Sequence, residues 1–345
     1  MLLPIRKRAR LPDGHPPVLV VVVDTEEEFE WDQPFDRANV DTRSVARQPL
    51  MHERVFDRFG IVPTYMVDWP VATAPAAVST LRGLLDAGRC EIGTQLHPWV
   101  SPPYDEAVTV YNSFVGNLPP SLERAKLSAL TAAIANGFGR APIAYKAGRY
   151  GLGPHTAEIL AELGYAVDAS VVPYTSFAQE GGPDFTGFDE HPFWFPAGGR
   201  DLLELPVTTG FCGLLRDHGD SVYDFVHRGM ASRLRVGGLL ARSRMLERIR
   251  LSPEGASAGD LVRVSRDLHA AGCQVYSLTY HSPSLVPGHT PYVRSERDLA
   301  RFIGAIDEYC RFFRDELGGV FMSLSQLYAL LREQCTPTLE LCAAP

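Results

Sequence analysis

Short runs of β-branched and apolar residues alternate with longer stretches of helical periodicity from one end of the chain to the other. The runs Val18–Val23, Val62–Val67, Cys90–Gln95, Ile143–Lys146, Ala166–Val171, Leu202–Pro206, Val275–Tyr280 and Val320–Leu324 have the length and composition of buried strands. Between them, 75–88, 119–138, 154–163, 258–271 and 295–317 space apolar residues as amphipathic helices do. Two of these stretches, LSALTAAIANGFG and TAEILAELG, end in Gly, as a helix C-terminus favours. Alternation at this density predicts an α/β fold with a parallel sheet, doubly wound or closed as a barrel. The Pro- and Gly-rich stretch 172–200 breaks the rhythm as a loop elaboration, so one domain with an insertion at about 172–260 is expected.

Composition narrows the class. The chain has 345 residues, 45% of them hydrophobic, which excludes disorder and suffices for a packed core. Its longest aliphatic run, Val18 to Val23, is far too short to span a bilayer, and the basic start MLLPIRKRARLPDG lacks the apolar core of a secretory signal. A net charge of -8 argues against nucleic acid as a partner. The six cysteines are scattered without a CxxC pair, which predicts reduced thiols, a cytoplasmic location and no cysteine-based zinc site. Charge is also unevenly placed. Residues 20–41 hold eight carboxylates against one Arg, whereas 221–250 hold seven Arg against Asp224 and Glu247. The latter stretch interleaves Leu and Met with Arg and is expected as amphipathic helix, with a basic face available for weak membrane-surface contact. Lysine is rare, at Lys7, Lys126 and Lys146 only, so each is worth locating.

Parallel α/β folds place their chemistry at the carboxyl ends of strands. The first predicted strand runs into Asp24-Thr25-Glu26-Glu27-Glu28, the third into Gln95-Leu96-His97-Pro98-Trp99, and the fourth into Lys146-Ala147-Gly148-Arg149-Tyr150. The next carries Asp168 and Ser170, and the Val275 strand ends in His281. Carboxylate, imidazole and ammonium groups at successive strand ends are the parts of a metal-assisted hydrolytic site. Each has a plainer explanation: Asp24 as a helix cap, His97 as a packed loop residue, His281 as a hydrogen-bonded core residue, Lys146 as surface charge. The plain explanations must all hold together to displace the functional one. GASAG at 255–259 matches a serine-hydrolase elbow by letter, but the preceding LERIRLSPE is no apolar strand, and Ser257 is expected to cap a helix.

In this order the strand-end residues resemble the NodB-type polysaccharide deacetylases, and especially their WalW-like branch in bacterial surface-polysaccharide biosynthesis. The resemblance covers about residues 15–330. It is carried by VVVVDTEEEFEW, CEIGTQLHPW, YKAGRYG, LGYAVDAS, ELPVT and YSLTYHSPSLVPGHTPYVR. It implies a distorted (β/α) barrel over 15–333, with residues 1–14 and 334–345 as tails. It also implies metal-dependent removal of an acyl group from a sugar. By position, Asp24 matches the catalytic base, and Glu26 (or, as a second choice, Glu27) a metal-binding carboxylate whose site Glu27 or Glu28 could complete. Lys146 matches the group that positions the base, Asp168 the residue that orients the catalytic histidine, and His281 that histidine. The metal motif departs from the family pattern: Gln95 stands where a ligand histidine is usual, Trp99 occupies the position four later, and His97 lies between. Glu26, Gln95 and His97 are therefore the implied ligands of a divalent metal, zinc in the family. Trp99, Arg149, Tyr150 and His289 are candidates for contact with a sugar, a nucleotide-sugar or a lipid-linked sugar. The altered motif keeps open a second possibility, a carbohydrate-binding or assembly protein that has lost its metal.

Overall fold

A computed structural model describes residues 3–29, 33–219, 222–223, 240 and 242–335. Twelve strands occur among these residues: β1 (Lys7–Arg8), β2 (Val18–Thr25), β3 (Thr64–Val67), β4 (Glu91–Leu96), β5 (Ala144–Ala147), β6 (Val167–Asp168), β7 (Phe193–Ala197), β8 (Arg200–Glu204), β9 (Thr209–Cys212), β10 (Glu247–Arg250), β11 (Val275–His281) and β12 (Val320–Phe321). The main sheet runs β1-β7-β8-β6-β5-β4-β3-β2-β11, with β12 on the edge of β2 below β3. From β11 to β8 every pairing is parallel, and β7 and β1 add antiparallel edges.

The valine run of β2 is paired on both sides, by β11 on one and by β3 and β12 on the other. All eight of its residues are buried, because a parallel strand is covered on both faces. Leu19, Val21 and Val23 face the outer layer of helices, together with Tyr65, Leu96, Tyr145 and the helical residues Leu81, Leu130, Ile134 and Phe302. Val18, Val20 and Val22 face inward with Met66, Ala144, Val167, Ala169, Leu203 and Val275. The helices are Pro75–Asp86, Pro120–Phe138, Thr156–Glu162, Ala258–Ala270, Glu296–Asp315 and Leu324–Glu333, besides shorter turns. Ser257 caps the Ala258 helix in a capping box with Asp260, as its sequence context requires.

The sheet is curled rather than uniformly closed. The two-stranded ribbon β9–β10 fills the gap between its ends: Val207 N–H donates to Val171 O (2.9 Å), Leu251 N–H to Thr208 O (2.8 Å) and Thr279 N–H to Leu251 O (3.1 Å). A distorted α/β barrel results.

Several elements differ from the sequence expectation. Residues 172–260 are not wholly an insertion, since β7 and β8 belong to the main sheet. Residues 3–11 pack as well: β1 pairs with β7, and Leu3, Ala9 and Leu11 are buried. Most of the Arg-rich 221–250 stretch lies outside the described residues, but its end, Glu247–Arg250, is a strand and not a helix. No helix among the described residues is long and apolar enough to cross a membrane. Cys90, Cys212, Cys273 and Cys310 are buried free thiols.

Candidate active site

The strand ends converge on a cavity of about 570 Å³ lined by Asp24, Glu26, Gln95, His97, Trp99, Lys146, Arg149, Tyr150, Glu254 and His281, among others. Register explains the convergence. His281 lies directly beside Asp24 across β11–β2, and Lys146 beside Gln95 across β5–β4. Residues two apart share a face, so Asp24 continues the inward set Val18, Val20 and Val22 into the cavity.

Asp24 is almost fully buried and is held by two cations. The Lys146 ammonium donates to its Oδ1 and Oδ2 at 2.6 and 2.7 Å, and His281 Nε2 lies 3.4 Å from Oδ2. Burial alone would lower the Lys146 pKa, but the adjoining Asp24 carboxylate outweighs it and raises the net value. His281 follows the same balance. Burial opposes its charge, yet the carboxylates of Glu254, Glu26 and Asp24 together push its pKa well above the ordinary histidine value. These carboxylates therefore favour its imidazolium form.

The partner that orients His281 is Glu254, which the sequence did not single out. Its carboxylate lies 2.6 Å from His281 Nδ1 and also accepts from the His281 backbone N–H (3.0 Å) and Ser284 Oγ–H (2.5 Å). Asp168, expected in this position, does not meet His281. β6 pairs with Asp168 opposite Tyr145, which places the carboxylate on the outer face with Tyr145 rather than the inner face of Lys146. There Asp168 accepts from Ser170 and sits in register with Glu204, and burial pushes both carboxyls upward.

The three implied metal ligands line the same cavity. Gln95 Nε2 donates to Glu26 Oε2 at 3.0 Å and lies 3.1 Å from His97 Nε2. The other face of His97 is fixed: Nδ1 is 2.7 Å from Glu27 Oε2, and the ring stacks on Trp99 at 4.3 Å between centroids. Burial lowers the His97 pKa and so favours the neutral ring, whose Nε2 can then accept from Gln95 or face a cation. Glu27 also accepts from Trp99 Nε1 (2.8 Å), and its backbone N–H donates to Asp68 (2.6 Å). Glu27, Asp68 and His97 form a cluster with metal-ligand spacing, but Glu27 and Asp68 stand behind the histidine and do not line the cavity. They act as its support. Gly148 permits the packing, since a Cβ there would fall 2.3 Å from the His97 ring.

Two buried oxygens of cavity-lining residues, Glu26 Oε1 and Gln95 Oε1, have no hydrogen-bond partner among the described residues. With His97 Nε2 they offer carboxylate, amide and imidazole donors, a set that suits a hard or borderline divalent cation. The residues present thus fit a metal. Burial raises the Glu26 pKa to about 7, and that of Glu27 to about 8. A cation at Glu26 would reverse that cost.

Of the remaining candidates, Trp99 and Tyr150 line the cavity, and so does Arg149. Arg149 and Tyr150 both adopt left-handed backbone conformations (φ 51° and 59°), a strain that turns the loop across the cavity mouth. The Arg149 guanidinium is already engaged, paired with Glu180 and bonded to Ser113 Oγ (2.7 Å). His289 lies elsewhere, 2.9 Å from Glu28 at a separate surface cavity. Lys126, like Lys146, is buried. It donates to the carbonyls of Pro98, Ser101 and Pro103, which anchors the loop that carries His97 and Trp99.

No family model and no curated protein matches the sequence. Solved structures do match the fold. A candidate polysaccharide deacetylase from Mycobacterium smegmatis superposes with a TM-score of 0.53 at 19% identity, covering 100% of this chain and 99% of its own. The fold is the distorted (β/α) barrel of NodB-type deacetylases. PuuE allantoinase (TM-score 0.55, 13% identity, 96% and 97% coverage) and a candidate polysaccharide deacetylase from Pseudomonas aeruginosa (0.52, 12%, 92% and 91%) share the deacetylase-type barrel.

Proposed function

We propose that this protein is a metal-dependent hydrolase that removes an N-acyl group, acetyl or formyl, from a sugar or sugar-linked precursor in surface-polysaccharide biosynthesis, on the WalW-like branch of the deacetylase barrel. The observation that carries this reading is the arrangement of Asp24. Its carboxylate lies against His281, itself backed by Glu254, in the cavity that Glu26, Gln95 and His97 also line. The buried free thiols Cys90, Cys212, Cys273 and Cys310 favour a reducing, cytoplasmic setting.

The residues divide the work as follows. Glu26, Gln95 and His97 would hold the divalent ion, zinc in the first instance, which supplies Lewis-acid polarisation of the acyl carbonyl. Asp24, its orientation fixed by Lys146, takes a proton from the attacking water. His281 gives its Nε2 proton to the amine as the C–N bond breaks, and Glu254 holds Nδ1 through the transfer. Trp99 and Tyr150 supply aromatic surface for the sugar.

Release of acetate or formate from a panel of N-acylated sugars, by metal-loaded and chelated protein, tests the proposal. Release by the loaded form that chelation abolishes supports it; no release by the loaded form from any member overturns it.

One contact favours a second reading, a metal-free sugar-binding protein. The Gln95 amide N–H groups meet Glu26 and His97 at 3.0 and 3.1 Å, satisfying both as an ion would. Two measurements separate the readings. Rotation of the amide exchanges its oxygen for its nitrogen toward Glu26 and His97, whereas Gln95→His supplies a fixed stronger donor. That variant should raise zinc affinity about 10-fold or more in competition with a chromophoric chelator; unchanged affinity places Gln95 outside the ligand set. The second is pH dependence. Glu26 and Glu27 have folded pKa values raised to about 7 and about 8 from 4.5, so each costs stability as pH rises through that interval. Metal-free protein should melt lower at pH 8 than at pH 5. Added zinc should raise the midpoint more at pH 8, and an equal effect at both assigns binding away from Glu26.

A further inference from the structure

The ribbon strand β10 alternates Glu247, Arg248, Ile249, Arg250. Ile249 is buried in the core and Glu247 pairs with Arg263 outside, so the two arginines point together into the cavity, followed by Ser252 and Glu254 on the same wall. The wall therefore leads from Arg248 through Arg250 down to the carboxylate that holds His281.

Neither arginine has a carboxylate partner among the described residues. Arg248 donates from one terminal nitrogen to Tyr174 O and Thr175 Oγ1 (2.9 Å) and lies over the Tyr223 ring. Arg250 donates to Tyr150 Oη (3.0 Å) and lies over the same ring. The nearest carboxylate on the wall, Glu254, is committed to His281 and Ser284. Arg149 across the cavity has Glu180, and Arg37, Arg58, Arg89, Arg124 and Arg263 likewise each have an acidic partner. Burial weakens the charged form of Arg248, and Arg250 beside it weakens it further. Two adjacent, partly desolvated guanidiniums without a counter-ion among the described residues are costly unless a ligand supplies the charge. Their forked N–H groups suit a bidentate oxyanion.

We propose that Arg248 and Arg250 bind an anionic substituent of the substrate, a phosphate or a carboxylate on the sugar, and so select acidic over neutral sugars. The site deepens the proposed function, on whose cavity it rests, but does not depend on the reaction. Calorimetry on the full chain tests it with four probes: N-acetylglucosamine, its 6-phosphate, N-acetylmuramic acid and inorganic phosphate. The acidic sugars should bind at least 10-fold more tightly than the neutral one, with a preference that weakens as salt rises. The ranking of the phosphate and carboxylate probes identifies the source. Arg248→Gln and Arg250→Gln should each remove most of the preference, while Arg248→Lys and Arg250→Lys keep part of it. Unaltered circular dichroism and urea midpoints verify the fold of each variant. Equal binding of neutral and acidic sugars overturns the proposal, as does a preference that survives in the double Gln variant. If no sugar binds but inorganic phosphate does so through these arginines, the anion site stands and the sugar reading falls. If neither sugars nor phosphate bind, the anion site falls.

Discussion

Replacing Asp24 with Asn lowers turnover by about 10² or more, because the amide has no basic lone pair for the water proton. The same change leaves the buried Lys146 ammonium without its charge partner, since Lys146 contacts both Asp24 oxygens and is about 1% exposed. Stability therefore falls too, by about 3 kcal/mol, the usual cost of an uncompensated buried charge. The two effects separate in the double variant Asp24→Asn/Lys146→Met. Removal of the orphaned ammonium restores most of the urea midpoint, whereas turnover stays low. His281→Ala gives a comparable loss of turnover and also lowers stability, since it leaves the buried carboxylates of Glu254 and Asp24 without the imidazolium. Rates near wild type in both Asp24→Asn and His281→Ala, on a substrate the parent protein hydrolyses, refute the assignment of base and acid. Recovery of turnover along with stability in the double variant assigns Asp24 to folding alone.

The strands that frame the site were legible because each is a buried parallel strand. β2, β3, β4, β5 and β11 are almost wholly buried on both faces and rich in β-branched, aromatic and aliphatic residues, so they stand out without strict alternation. The catalytic candidates at their ends followed from strand-end position. The ribbon that closes the barrel was not legible. β10 reads ERIR, four residues with a single apolar one, at the end of an Arg-rich stretch whose spacing also suits a helix. The one available signal was the period-2 placement of Arg248 and Arg250 around Ile249. Glu254 was missed with the same ribbon, because it reaches His281 from a loop 27 residues earlier in the chain. Asp168 failed for a different reason. Its strand is two residues long, and the face of a side chain depends on register with β5, which sequence order does not contain. His289 shows the same limit for loops, since nearness in sequence to His281 left it against Glu28 at another cavity.

Glu254→Gln tests the residue that sequence overlooked, and its largest effect is on pH dependence. His281 acts as a general acid only while protonated, so activity disappears as pH rises through its pKa. That pKa stands well above 6.5 although burial opposes the charge, because Glu254 first, then Glu26 and Asp24, favour the imidazolium. Neutralising Glu254 removes the charge in direct contact with Nδ1, and the alkaline limb of the rate profile should move to lower pH by about one unit or more. Turnover at pH 8 falls about 10-fold or more, from lost protonation and from a ring freed to turn about its χ angles. Stability carries the same sign. The raised folded pKa stabilises the protein fully below about 6.5 and progressively less as pH climbs through the folded value, so Glu254→Gln costs more stability at pH 6 than at pH 10. Glu254→Asp should recover part of the limb, because the charge is kept while its reach is shortened. Asp168→Asn supplies the contrast. Its carboxyl lies on the outer face of the sheet with Ser170 and Glu204, so its loss changes folding stability and leaves the alkaline limb in place. A limb that moves in Asp168→Asn and not in Glu254→Gln would return the orienting role to Asp168.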